Sequence, residues 1–273
     1  MTGIRVRIDT DIARQALLAA RIARGQSDIS SGKRLQAASD DPASSVRIAQ
    51  LRRAQIGEAA WRANIDNGIA LAARADGTLA AVSTLTDRAR ELTTRGASET
   101  LSAKDRDTVA MELRSIADEI DSLSIATDAT GQPVFPVAPL RLPVGDSLAL
   151  TATVSRANAF DVGGRNIAAL LRDAATGMTA SAAGRTTALA DVVSASDHIS
   201  TVRGEQGTRA ARFDALRDRL VDSSAAVAEE RMSIEDTDLA ATIARVQADQ
   251  LSLDAAQGMF ARINRRTLFD LLG

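Results

Sequence analysis

The chain has 273 residues, no Cys and no Tyr, and 33 Lys plus Arg against 35 Asp plus Glu, a formal net charge of -2. That balance gives it no electrostatic pull toward nucleic acid or an anionic membrane, and without Cys there is neither a disulfide framework nor a thiolate site. Aromatic residues make up only 2% of a chain that is 45% apolar, much of it Ala, a composition suited to long helices packed side by side rather than to a round core.

Taken in chain order, the first element is a helix. Ile8, Ile12, Gln15, Ala19, Ile22, Gln26 and Ile29 recur with alternating steps of 4 and 3, a heptad seam interrupted by two Gln. It stops at Ser30-Ser31-Gly32, where Gly32 suits a left-handed cap. After a loop, Asp41 and Pro42 form an N-cap and first helical residue, opening a second helix from about residue 42 to about residue 95, roughly 80 Å long. Its seam is Leu71, Ala75, Thr78, Val82, Leu85, Ala89 and Leu92. Ser102, with Asp105 three residues on, caps a third helix carrying Val109, Leu113, Ile116, Ile120 and Leu123.

The pattern then changes. Four of the five Pro fall at Pro133, Pro136, Pro139 and Pro143, and Leu148, Leu150, Ala152 and Val154 alternate with smaller or polar residues, which predicts a small β element such as one hairpin. Gly163-Gly164 closes it, a short helix follows over about residues 167–175, and a Gly/Ser/Thr-rich loop runs through Gly184. From about Thr187 a long helix repeats Ile199, Gln206, Phe213, Leu220, Val227 and Ile234 every seven residues. A polar break at Glu235-Asp236-Thr237-Asp238 precedes a last helix with Leu239, Ile243, Val246, Gln250, Leu253, Gln257 and Phe260. The expected fold is mainly α, a long antiparallel coiled coil or bundle of the N- and C-terminal segments with a small β-containing central insertion.

A narrow apolar stripe on a helix must be covered, and the two terminal stripes match each other in length. Pairing them still leaves Leu17, Leu18 and Leu251 on the flanks, and Leu268, Phe269, Leu271 and Leu272 as an apolar tail. The expected assembly interface is therefore Ile8, Ile12, Ile22, Ile29, Leu239, Ile243, Val246, Leu253, Phe260, Ile263, Leu268, Phe269, Leu271 and Leu272. The chemistry of catalysis is missing. His198 has only Asp197 beside it, which cannot face it on a helix. The acidic runs at 40–41 and 235–238 sit where caps belong and are read as caps, not cation sites, and the paired glycines lack the Lys and strand of a phosphate loop. The expectation is no enzyme, no cofactor and no metal, with no segment apolar enough to span a membrane and no signal-peptide pattern at the N-terminus.

Several short strings resemble one family. Ile29-Ser30-Ser31-Gly32-Lys33-Arg34-Leu35 with Ser39-Asp40-Asp41-Pro42-Ala43 looks like the N-terminal signature of the bacterial flagellin family. Asn64 to Ala72, Arg88-Ala89-Arg90-Glu91-Leu92 and Ser233 to Ala240 resemble further motifs of it, in the right order. Thr127 to Phe135 and the ending Leu268 to Leu272 are most similar to its hook–filament junction branch, although Pro133 and Pro136-Val137 replace the usual aromatic and Gly. The resemblance implies a structural subunit of the flagellum that joins hook to filament, or alternatively a short filament-forming flagellin. It implies a terminal assembly domain (1–40 and 235–273), a long-helix rod (41–130 and 187–234) and a reduced outer insertion (131–186). The implied partners are other copies in a ring or helical array, a neighbouring hook-associated protein, flagellin, the flagellar type III export apparatus and an export chaperone, with no nucleic acid and no membrane. The implied location is extracellular, on the flagellum, reached without a cleaved signal peptide. Arg88, Leu92 and Glu112 also match positions that resemble the patch on monomeric flagellin read by an innate immune receptor; a packing surface between subunits is the plainer reading.

Overall fold

The computed structural model describes residues 2–269, with side chains described for residues 9–262. Seven helices and four short strands follow one another: α1 (Thr2–Ser31), α2 (Pro42–Gly96), α3 (Ala103–Ser124), β1 (Arg141–Pro143), β2 (Ala149–Thr151), α4 (Arg156–Phe160), β3 (Asp161–Val162), β4 (Arg165–Asn166), α5 (Ile167–Thr179), α6 (Ala182–Glu235) and α7 (Leu239–Phe269). The chain divides into two compact units, residues 1–55 with 225–273, and residues 56–224. Both long helices, α2 and α6, supply residues to each.

The helix boundaries follow the caps. Gly32 ends α1 with φ +69°, a conformation in which a side chain would be strained. Asp41 Oδ1 accepts the Ser44 amide at 3.1 Å and opens α2, while Ser102 Oγ accepts the Asp105 amide at 3.2 Å and opens α3. Two boundaries differ from expectation, and the first is the short helix expected over about 167–175, which runs on to Thr179. The segment read as a loop through Gly184 is already helical from Ala182, because Ser181 Oγ accepts the Gly184 amide at 3.1 Å and the Ala182-Ala183 pair behind it favours helix.

In the unit of residues 56–224, α3 packs on α5, and their apolar faces meet those of α2 and α6. Leu79, Val82, Leu92, Leu113, Phe160, Leu171, Met178 and Ile199 are all fully buried there, and Phe135 meets Phe160 edge to face with centroids 5.1 Å apart. A second cluster gathers Ile65 and Phe213 with Leu142, Val144 and Ala152 of the insertion. The β content is two hairpins rather than one. β1 pairs antiparallel with β2, Leu142 opposite Leu150, and β3 pairs with β4 across Gly163-Gly164. The inward alternation expected from Leu148 to Val154 fails: Leu148 is exposed, and Ala152, Thr153 and Val154 are buried in succession after the strand ends. The heptad of α6 holds at Ile199, Gln206 and Phe213, each fully buried. Gln206 Nε2 donates to the Ala152 carbonyl at 2.8 Å and the Ala72 carbonyl at 3.3 Å, so a polar core residue ties the insertion to α2.

Candidate functional site

The unit of residues 1–55 and 225–273 carries the expected assembly residues. α1 and α7 pack against each other, as the matching stripes require. Their seam is thin. Among the described side chains of the two helices only Ile22, Gly25, Thr242 and Val246 are buried. Gly25 permits the approach, since a Cβ there would overlap the Val246 methyl.

The seam differs in register from the one read in the sequence. Half-buried positions extend it through Gln15, Leu18 and Ile29 on α1 and through Asp249, Leu253, Ala256 and Phe260 on α7. Ile12 (51% exposed), Leu239 (48%) and Ile243 (43%) point outward instead, together with Leu17, Leu251 and Met259. Gln26, Gln250 and Gln257, read as seam residues, are exposed as well. The pair is therefore weak because few large side chains are covered, not because Gln is buried inside it. Leu271 and Leu272 lie outside the described residues, as do the side chains of Ile8, Ile263, Leu268 and Phe269.

The loop after α1 and the break before α7, both carriers of signature strings, meet each other. The Arg34 amide donates to the Glu235 carbonyl and the Thr237 amide to the Gly32 carbonyl, both at 3.0 Å, around an antiparallel bridge between Lys33 and Asp236. Arg34 Nη2 also donates to the Ile234 carbonyl at 3.1 Å. At the centre is the Glu235 carboxylate, 8% exposed, with Lys33 Nζ and Arg52 Nη2 each 2.9 Å from Oε1 and Arg231 Nε 3.5 Å from Oε2. The Lys33 hydrogen bond comes first among the causes that hold Glu235 below the usual glutamate range, ahead of burial, which opposes it. Sequence reading treated Glu235 as part of a polar break and missed this role. The available signal was a carboxylate at a helix C-terminus, where the helix dipole disfavours it unless cations are near.

Elsewhere in this unit Asp40 accepts the Gln36 and Ala37 amides and pairs with Arg24 at 2.9 Å, and Asp238 Oδ1 accepts the Ala241 amide at 3.0 Å, so these two brace a turn and cap a helix, whereas Glu235, also read as a cap, is the ion-paired carboxylate. An open cavity of about 650 Å³ beside the helix pair is lined by charges of both signs, Arg21, Arg24 and Arg245 against Asp28, Asp40 and Asp249. No cluster of three or more His, Cys, Asp and Glu suited to a metal occurs among the described residues, nor does any described helix have the length and apolarity to cross a membrane.

In the other unit, Arg88 bridges Glu91 at 2.9 Å and Glu112 at 3.3 Å, so two of the three residues of the receptor-like set are in contact, while Leu92 is fully buried in the core and presents no surface. His198 Nε2 lies 3.1 Å from the Asn158 carbonyl and braces α4 against α6.

Comparison with known proteins places two family matches on the chain: the bacterial flagellin N-terminal helical region over residues 15–136 and the bacterial flagellin C-terminal helical region over residues 189–272. A flagellin of Escherichia coli O127:H6 is 28% identical over 201 residues, covering 66% of this chain; the chain spans 37% of that relative's length. Among solved structures, a Vibrio parahaemolyticus protein assigned as a flagellar hook-associated protein is matched with a TM-score of 0.65 at 19% identity, covering 72% of this chain and 100% of that one. Flagellar hook-associated protein 3 of Legionella pneumophila is matched with a TM-score of 0.59 at 12% identity, covering 68% and 99%. At such identities these two likenesses establish the fold.

Proposed function

Because the chain belongs to the bacterial flagellin family, we propose that it is a structural subunit of the flagellum that joins hook to filament and assembles through its terminal helices. The observation that carries the assembly half is the set of large apolar side chains that the helix pair leaves exposed. Ile12, Leu17, Leu239, Ile243 and Leu251 are between 43% and 72% exposed in a single chain, apolar surface suited to burial against further copies. The junction half is supported by likeness of fold. The hook-associated structures are matched over essentially their whole length, the flagellin over a minor part of its own.

The role is architectural rather than catalytic. The acidic clusters are engaged in caps and ion pairs, and the one His supports a carbonyl. In this reading the neighbours are other copies, a hook-associated protein and flagellin, and the subunit leaves the cell through the flagellar type III apparatus with an export chaperone and without a cleaved signal. A seam with four buried positions suits such a route, since little free energy opposes its opening.

Immunogold labelling of intact flagella tests the proposal. Label confined to the hook–filament boundary is the expected result. Label along the whole length would replace the junction role with that of a short filament-forming flagellin, which seeded growth of long smooth polymers from purified protein would corroborate. Label absent from flagella would overturn the flagellar reading.

A further inference from the structure

Glu235 closes α6, the end of a helix where the backbone dipole already presents partial negative charge. A buried carboxylate there is unfavourable unless cations compensate it. Three do so, and each comes from a different segment: Lys33 from the loop after α1, Arg52 from α2 and Arg231 from α6 one turn earlier. Lys33 is the member that reaches over from the α1 side. The Arg34 and Thr237 amides add two backbone bonds across the same junction.

Burial along α1 and α7 is graded away from this point. Ile22 and Gly25 lie within the last three turns of α1, and Thr242 and Val246 within the first three turns of α7, all beside the junction. Farther out along the same seam Gln15, Leu18, Leu253 and Phe260 are only half-buried. Helices of this kind owe their order to packing rather than to propensity, so the distant ends open readily and the end beside the junction is the held one. The neighbouring helical stretches 42–55 and 225–235 have their own attachment. Arg47 grips Glu230 through two bonds of 2.6 and 2.9 Å, Arg231 donates to Gln55 at 2.7 Å, and Ile48 and Leu51 are buried.

We infer that the Glu235 clasp is a release catch for the terminal helix pair. With Lys33 seated on Glu235, α1 and α7 stay zipped at their common end. Once Lys33 leaves Glu235, they separate together, while 42–55 and 225–235 remain paired. The catch lies within one chain and does not rest on the flagellar reading.

Amide hydrogen exchange on the full chain, in the wild type and in Lys33→Met, Lys33→Arg and Glu235→Gln, tests this. Removing a charge-assisted hydrogen bond predicts exchange about tenfold faster or more over residues 22–31 and 239–249 in Lys33→Met and Glu235→Gln. Lys33→Arg should restore slow exchange, and residues 56–224 should not change. Unaltered rates over 22–31 and 239–249 in Lys33→Met would overturn the inference, as would equal acceleration over 42–55. Should Glu235→Gln unfold the chain broadly by leaving three cations facing one another, the Lys33 variants decide the matter, since Arg52 and Arg231 still neutralise Glu235 in them.

Discussion

Gly25 and Gly258 stand in the two partnered terminal helices, and replacing each by Ala asks opposite things of the structure. A mid-helix glycine costs about 0.5–1 kcal/mol relative to alanine through backbone entropy, so both substitutions gain that amount if nothing else changes. At Gly258 a Cβ would meet no atom within 4 Å, so Gly258→Ala keeps the whole gain. At Gly25 the new methyl overlaps a methyl of Val246, a β-branched side chain with few rotamers to retreat into. Overpacking of this kind costs about 1–3 kcal/mol, so Gly25→Ala should come out neutral to about 2 kcal/mol destabilising. That is large for a pair whose buried apolar side chains, Ile22 and Val246, contribute only about 1.5–3 kcal/mol each. Amide exchange over 9–31 and 239–262 reads the difference: slower than wild type in Gly258→Ala, and up to about thirtyfold faster in Gly25→Ala, at about 1.4 kcal/mol per factor of ten. Equal stabilisation by the two substitutions would refute the close approach of α1 and α7 at Gly25.

Asp41→Ala should lower the denaturation midpoint of the chain, and Asp41→Asn should not, because the amide oxygen can still accept the Ser44 amide; an unchanged midpoint in the Ala variant would count against the assigned start of α2. Gln206→Leu should destabilise by about 1–2 kcal/mol in denaturant unfolding, because loss of two donated bonds and an unmatched Ala152 carbonyl outweigh removal of the unpartnered Oε1. Acid should loosen the helix pair through Glu235. Its folded pKa is lowered, first by the Lys33 hydrogen bond, so its contribution is fully present above the ordinary glutamate value of 4.5 and fades as the pH falls through the depressed value. Asp40, Asp41 and Glu230 are depressed as well, so the share belonging to Glu235 is the part of the acid response that disappears in Glu235→Gln.

Much of the fold is legible in the sequence because its local signals agree with its global ones. Gly32, Asp41 and Ser102 mark ends that the structure keeps, and Ile199, Gln206 and Phe213 keep their heptad. The register of the terminal seam is less legible, for a physical reason. Spacings of 4 and 3 fit two adjacent stripes on each helix, and a hydrophobicity pattern favours the stripe with more carbon. Pattern reading therefore favours Gln26 over Gly25 and Ile243 over Thr242, whereas the observed seam uses the smaller residue in both cases. A glycine adds nothing to an apolar count and everything to a close approach. The Glu235 clasp was hidden because two of its three partners, Arg52 and Lys33, are 183 and 202 residues away along the chain.

The register also bears on what the terminal helices are for. An isolated two-helix unit selected for stability would put Ile12, Leu239 and Ile243 inside and leave Gly25 and Thr242 out. Although Ile22 and Val246 are buried on the same seam, this chain does the reverse at those five positions, covering the smaller residues and presenting the larger ones. The hydrophobic free energy of those larger side chains is then unused in the single chain and becomes available only on contact with another surface. The observed register is thus the arrangement expected of a subunit that is weakly ordered alone and firmly ordered among its neighbours. The clasp, with the Arg34 and Thr237 backbone bonds beside it, tethers the two helices at their common end.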